Sequence, residues 1–94
     1  MTIKTFEALE KIVEKYSETE MTDWCYDGIA GSARIEGNPY EAQIWAIIPK
    51  LRYIENITKI ELRPAEDKDD DYDTLDIDFI EIRQKKLLKN TKLY

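Results

Sequence analysis

After Gly31 the spacing of apolar side chains changes from about 3.6 residues to about 2, which predicts a helical front and a stranded rear. At the front, Thr5 can cap a helix over residues 5–16 whose apolar positions Phe6, Leu9, Ile12, Val13 and Tyr16 recur three and four apart. Glu7 in the first turn suits the helix dipole, and Lys11 stands one turn on as its ion-pair partner. Met21, Trp24, Cys25 and Ile29 continue the helical spacing. With a Ser17-x-x-Glu20 capping box and Gly31 as exit, they predict a second helix over 18–30.

Behind Gly31, Ala33 and Ile35 alternate with Arg34 and Glu36, and Gly37, Asn38 and Pro39 supply a turn. Strands are expected over 32–36 and 40–48, the second apolar on both faces at Trp45 and Ile47 and stopped by Pro49. Residues 49–56 fit either a helical turn or a wide loop. Alternation resumes over 57–63 and 74–82, with a bulge expected near Phe79 or Ile80, where the apolar phase slips. The expected fold is α+β: two N-terminal helices packed on one face of a mostly antiparallel four-stranded sheet, in a single domain over 1–94 that ends in a basic tail, 83–94.

The chain contains no histidine, which removes His-based triads, His-containing metal sites and imidazole proton shuttles. Its lone cysteine, Cys25, cannot form an intramolecular disulfide, and its place in the Met21, Trp24, Ile29 series predicts core burial. No basic leader precedes an apolar stretch, and the run Ile44 to Ile48 is far short of the roughly 20 residues of a spanning helix, so a cytoplasmic location is expected. Gly28, Gly31 and Gly37 make neither a dinucleotide fingerprint nor a P-loop. Pairs such as Glu36 with Glu41 or Asp23 with Asp27 are unavoidable among 20 acids. No enzyme is expected, and no cofactor.

Charge carries the functional expectation. Against 20 Asp and Glu stand 14 Lys and Arg, a net charge of −6, which disfavours direct contact with nucleic acid or anionic membrane and favours basic protein partners. Residues 66–81 hold nine acids, Glu66, Asp67, Asp69, Asp70, Asp71, Asp73, Asp76, Asp78 and Glu81, against Lys68 alone. The tail beyond them carries Arg83, Lys85, Lys86, Lys89 and Lys92 with no acid. Such an acidic stretch can be a solvated hairpin loop that maintains solubility. It can also imitate a phosphate backbone, because side chains two apart on a strand share a face about 6.7 Å apart, as Asp76 and Asp78 would. A groove of Lys and Arg accepts such carboxylates by the electrostatics that bind phosphates, and Tyr72 could stack on arginine planes.

Asp67, Asp69, Asp71, Asp73 and Asp78 also occupy places 1, 3, 5, 7 and 12 of a calcium-loop template. Place 6 is Tyr72 where the turn needs glycine, place 12 is Asp where the template has Glu, and the flanks read as strands. Trp45 is expected in the core; exposed, it would be the best anchor for a partner.

In size and character, an acidic α+β chain with no catalytic motif and carboxylates clustered over Glu66 to Asp78 resembles the phage-encoded anti-CRISPR proteins. Several of these resemble DNA in charge and occupy the nucleic-acid groove of a CRISPR surveillance complex or nuclease. The resemblance implies a non-enzymatic inhibitor in the host-cell cytoplasm that blocks DNA binding, and it assigns no role to any single residue. The expected contact set is Glu66, Asp67, Asp69, Asp70, Asp71, Asp73, Asp76 and Asp78, joined by the helix-face acids Glu14 and Glu18. The alternatives are an antitoxin or immunity-type protein that neutralises a basic toxin, and a small divalent-metal-binding or structural domain.

Overall fold

A computed structural model describes residues 4–81; the basic tail 83–94 and the last position of the expected strand 74–82 lie outside the described residues. The fold is α+β, with helix α1 (Lys4–Glu14), strands β1 (Thr19–Tyr26) and β2 (Ala30–Gly37), helix α2 (Gln43–Leu51), and strands β3 (Ile57–Arg63) and β4 (Asp73–Ile80). The four strands form one antiparallel sheet in the order β1-β2-β4-β3. Only α1 precedes the sheet.

Helix α1 follows its apolar spacing, with Thr5, Leu9 and Val13 buried one turn apart. Thr5 is not the cap. It lies inside the helix and donates its hydroxyl to the carboxylate of Glu81, which also accepts from the Lys4 N–H at 3.1 Å. That carboxylate satisfies orphan donors at the helix start.

The second expected helix, 18–30, is instead the β1-β2 hairpin. Thr19 bonds back to the Tyr16 carbonyl through its N–H at 3.1 Å and its hydroxyl at 2.9 Å, turning the chain where the Ser17 box was expected to start a helix. The register jumps from Met21 opposite Ile35 to Asp23 opposite Arg34, leaving Thr22 as a bulge. That extra residue sets Met21 and Trp24 three apart while both share the face of Thr19 and Tyr26, and so imitates a helical period. At the hairpin end, the Asp27 carboxylate accepts from the N–H groups of Ile29 at 3.0 Å and Ala30 at 2.9 Å, and Gly28 takes a φ of 101°. Those two bonds hold the Asp27 carboxyl below its ordinary range. Gly31 is no helix exit: it sits in β2 opposite Phe79.

The expected strand 40–48 is a turn followed by α2. The Asn38 side chain accepts from the Tyr40 N–H at 2.9 Å, its carbonyl accepts from Glu41 and Ala42, and Ala42 adopts a left-handed φ of 55° ahead of the helix. Ile44, Ile47 and Leu51 are the buried positions, spaced three and four apart. Trp45 points outward and is 51% exposed, contrary to the core placement expected for it. Pro49, read as a strand stop, lies within the helix.

Strands β3 and β4 match the alternation. β4 pairs with β2 without interruption from Asp73 to Ile80, so the bulge expected at Phe79 or Ile80 is absent there. The irregularity stands across from it, at Thr58 in β3, and Ile80 stays exposed on the side of Asp76 and Asp78. The core unites Leu9 and Val13, Ile44, Ile47 and Leu51, and the sheet residues Ala33, Ile35, Leu75, Ile77 and Phe79. No helix among the described residues is long and apolar enough to cross a membrane.

Candidate functional site

The acids of residues 66–78 go to three places. Glu66, Asp67, Asp69, Asp70 and Asp71 are exposed in the loop joining β3 to β4. Asp67 organises that loop: its side chain accepts from the Asp69 N–H at 3.0 Å, and its carbonyl accepts from Asp70 at 3.2 Å and Asp71 at 2.7 Å. Asp73 is only 4% exposed and accepts from the Ala65 N–H at 2.9 Å, so it closes the loop from inside.

Asp76 and Asp78 lie on the outer face of the sheet. Asp76 is held between two guanidinium groups, Arg34 Nε at 2.9 Å and Arg63 Nη2 at 2.5 Å. Burial pushes its carboxyl up, but Arg34 and then Arg63 outweigh that and leave it below the ordinary range. The negative row expected from Asp76 and Asp78 is therefore half neutralised. Asp78 is exposed and makes no ion pair among the described residues.

The loop is docked against the β2-α2 turn. Tyr40 donates its phenol proton to the Asp69 carboxylate, and the Lys68 ammonium stands 5.7 Å from the Tyr40 ring centroid. A cavity of about 290 Å³ opens between Tyr40 and Asp69, Asp70 and Asp71. A second, of about 600 Å³, is lined by Glu18, Glu20 and Glu36. Asn38 and Tyr72 line both, so one acidic surface continues from the loop across the end of the sheet, with Tyr40 and Tyr72 exposed on it.

Glu20 and Glu36 stand directly opposite each other across β1 and β2. Like charges in that position are destabilising. Neither makes an ion pair among the described residues. No protein-family model, curated protein or solved structure matches this chain.

The uncompensated Glu20 and Glu36 pair exists only in the β1-β2 register, which local sequence does not display; the Asp27-Gly28 dipeptide is the sequence signal for that hairpin. Glu18 belongs to the surface, though from a turn and not from a helix face, its N–H bonded to the Gln43 side chain at 2.9 Å. Glu14 ends α1 and lines neither cavity.

For chemistry, the surface offers carboxylates and phenols on an open slope. Among the described residues no group of three or more Cys, Asp or Glu side chains is placed to hold a metal ion. The calcium-loop template is split: Asp73 points inward and Asp78 stands on the sheet. Cys25, expected in the core, is exposed on β1 with its Sγ 3.2 Å from Ser32 Oγ. What the slope can do is attract cations, through carboxylates at long range and tyrosine faces at contact.

Proposed function

We propose that the chain is a non-enzymatic inhibitor of the phage anti-CRISPR kind, which places its acidic end in the basic nucleic-acid groove of a CRISPR surveillance complex or similar protein and blocks DNA. The observation that carries the reading is the opposition of Glu20 and Glu36 beside the loop acids Asp69, Asp70 and Asp71. It retains a repulsion that a purely structural hairpin has no need of. All 20 acids fall within residues 4–81 against 9 Lys and Arg, so the described part of the chain carries −11, well beyond the −6 of the whole. A field of that size steers a cationic partner to the surface and weakens as salt screens it.

The contact set is Glu66, Asp67, Asp69, Asp70 and Asp71 with Glu18, Glu20 and Glu36, and with Tyr40 and Tyr72 set to stack on arginine. Asp78 belongs to the flank, while Asp73 and Asp76 are occupied within the fold. The reading takes both helices to lie on the core side of the sheet, away from this slope.

The test is competition for DNA. A surveillance complex is mixed with target DNA and increasing protein, and the DNA-bound fraction is read by gel shift. Loss of the shifted band, reversed by Asp69→Lys, Asp70→Lys and Asp71→Lys together and by raised salt, is the expected result. An unchanged band, or equal competition by the triple variant, overturns it. Capture of a basic toxin in place of a nucleoprotein complex would move the same surface to the antitoxin class.

A further inference from the structure

We infer that the basic segment 83–94 of this chain docks on the outer face of its own sheet, over the groove between Asp23 and Asp78. Cross-strand register puts six carboxylates on that face, including Asp23 on β1, Glu61 on β3 and Asp78 on β4, against three cations. All three cations are already paired, Arg34 and Arg63 with Asp76 and Lys59 with Glu61. Arg34 stands opposite Asp23 and Lys59 opposite Asp78, but among the described residues each makes its ion pair with another acid, so carboxylates outnumber cations on this face by three. An open groove of about 220 Å³ crosses it, lined by Asp23, Cys25, Ser32, Arg34, Asp76 and Asp78, with Ile80 exposed on the same side.

The occupant is indicated by charge and by tether. Residues 83–94 carry Arg83, Lys85, Lys86, Lys89 and Lys92 and no acid. One residue, Ile82, separates them from Glu81, which is fixed to Thr5 and Asn56 at the end of β4. Strand β4 covers about 26 Å at 3.3 Å per residue, and twelve further residues reach at most roughly 40 Å. The Asp78 end of the face is thus the one nearest the start of the segment, whereas the acidic loop lies beyond the far end of β4. Tethering supplies a millimolar-scale effective concentration. This docking is independent of the partner reading and leaves the acidic end free for it.

The chain carries its own probe position, since Cys25 is the sole cysteine and is exposed on the β1 wall of the groove. A nitroxide on Cys25 of the full-length protein, read in amide-resolved NMR at low salt, should broaden the amides of Lys85 to Lys92. The expected loss is about half of their intensity or more, recovered when about 1 M salt cuts the screening length to roughly 3 Å. The Asp23→Asn, Asp78→Asn variant should recover it at low salt. Three results overturn the inference: no broadening at low salt, broadening that the double variant leaves intact, or equal broadening of unlabelled chains mixed with labelled ones. The last would assign the face to a second copy.

Discussion

Thr5 and Glu81, 76 positions apart in the chain, are joined in the interior by a hydrogen bond from the threonine hydroxyl to the glutamate carboxylate. The same carboxylate accepts from Asn56 Nδ2 at 2.9 Å and from the Lys4 N–H at 3.1 Å, so one buried anion ties the start of α1, the turn before β3 and the end of β4 together. Burial raises the Glu81 carboxyl, but the bonds from Thr5, Asn56 and the backbone outweigh it and hold the group below its ordinary value of 4.5. A depressed carboxyl contributes stability that is complete above the unfolded value and disappears as pH falls through the folded one. Glu81→Gln should therefore cost about 1.5–3 kcal/mol in urea unfolding at pH 7, as expected for hydrogen bonds to a charged group. The gap between wild type and variant should narrow at pH 3; an equal gap at both would show that the charge is not what the network requires.

Gly31 is required by close approach. A Cβ there would stand 2.6 Å from both the Cys25 carbonyl oxygen and the Phe79 ring, a backbone atom on one side and a core ring on the other. Gly31→Ala should lower the thermal midpoint by an amount corresponding to about 1–3 kcal/mol, the usual cost of overpacking. Thermal unfolding followed by circular dichroism decides it, and an unshifted midpoint would mean that β1 and β2 can separate freely at that point.

Neighbouring residues in α2 should behave oppositely. Ile47 is fully buried and Trp45 is half exposed. Ile47→Ala should cost about 2–5 kcal/mol, and Trp45→Ala less than about 1 kcal/mol despite the larger side chain. Paired denaturant curves distinguish this from the strand reading, in which both faces of the segment were buried.

Where one period dominates, as in α1 and over most of β3 and β4, the pattern of residues is enough to place the element. It failed where two periods coincide. The bulge at Thr22 spaces Met21 and Trp24 as a helix would, although Thr19, Tyr26 and the Asp27-Gly28 turn are hairpin chemistry. The run from Ile44 to Ile48 is apolar at every position, so alternation and helical spacing fit equally until Leu51 extends the series of Ile44 and Ile47. The loop acids could be located from composition alone. Their separation from Asp73, the neutralisation of Asp76 by Arg34 and Arg63, and their continuity with Glu20 and Glu36 depend on which strands pair, and local sequence does not carry that information.

The acidic loop is held in place by a latch that pH can open from the alkaline side. Its hydrogen bond to Asp69, and to a lesser degree burial, raise the Tyr40 phenol above its ordinary value of 10. The latch is complete below the unfolded value and is lost as pH rises through the folded one, because the phenolate has no proton to donate. Ultraviolet titration of the six tyrosines should show a late-ionising component that Tyr40→Phe removes and Asp69→Asn returns toward the ordinary value. Tyr40→Phe should also speed amide exchange at Asp70 and Asp71, whose bonds to the Asp67 carbonyl are made within the loop, and leave exchange at Ile77 in the central strand unchanged. Faster exchange at Ile77 as well would show that Tyr40 supports the whole sheet; no change at Asp70 and Asp71 would show that the loop keeps its shape without the latch.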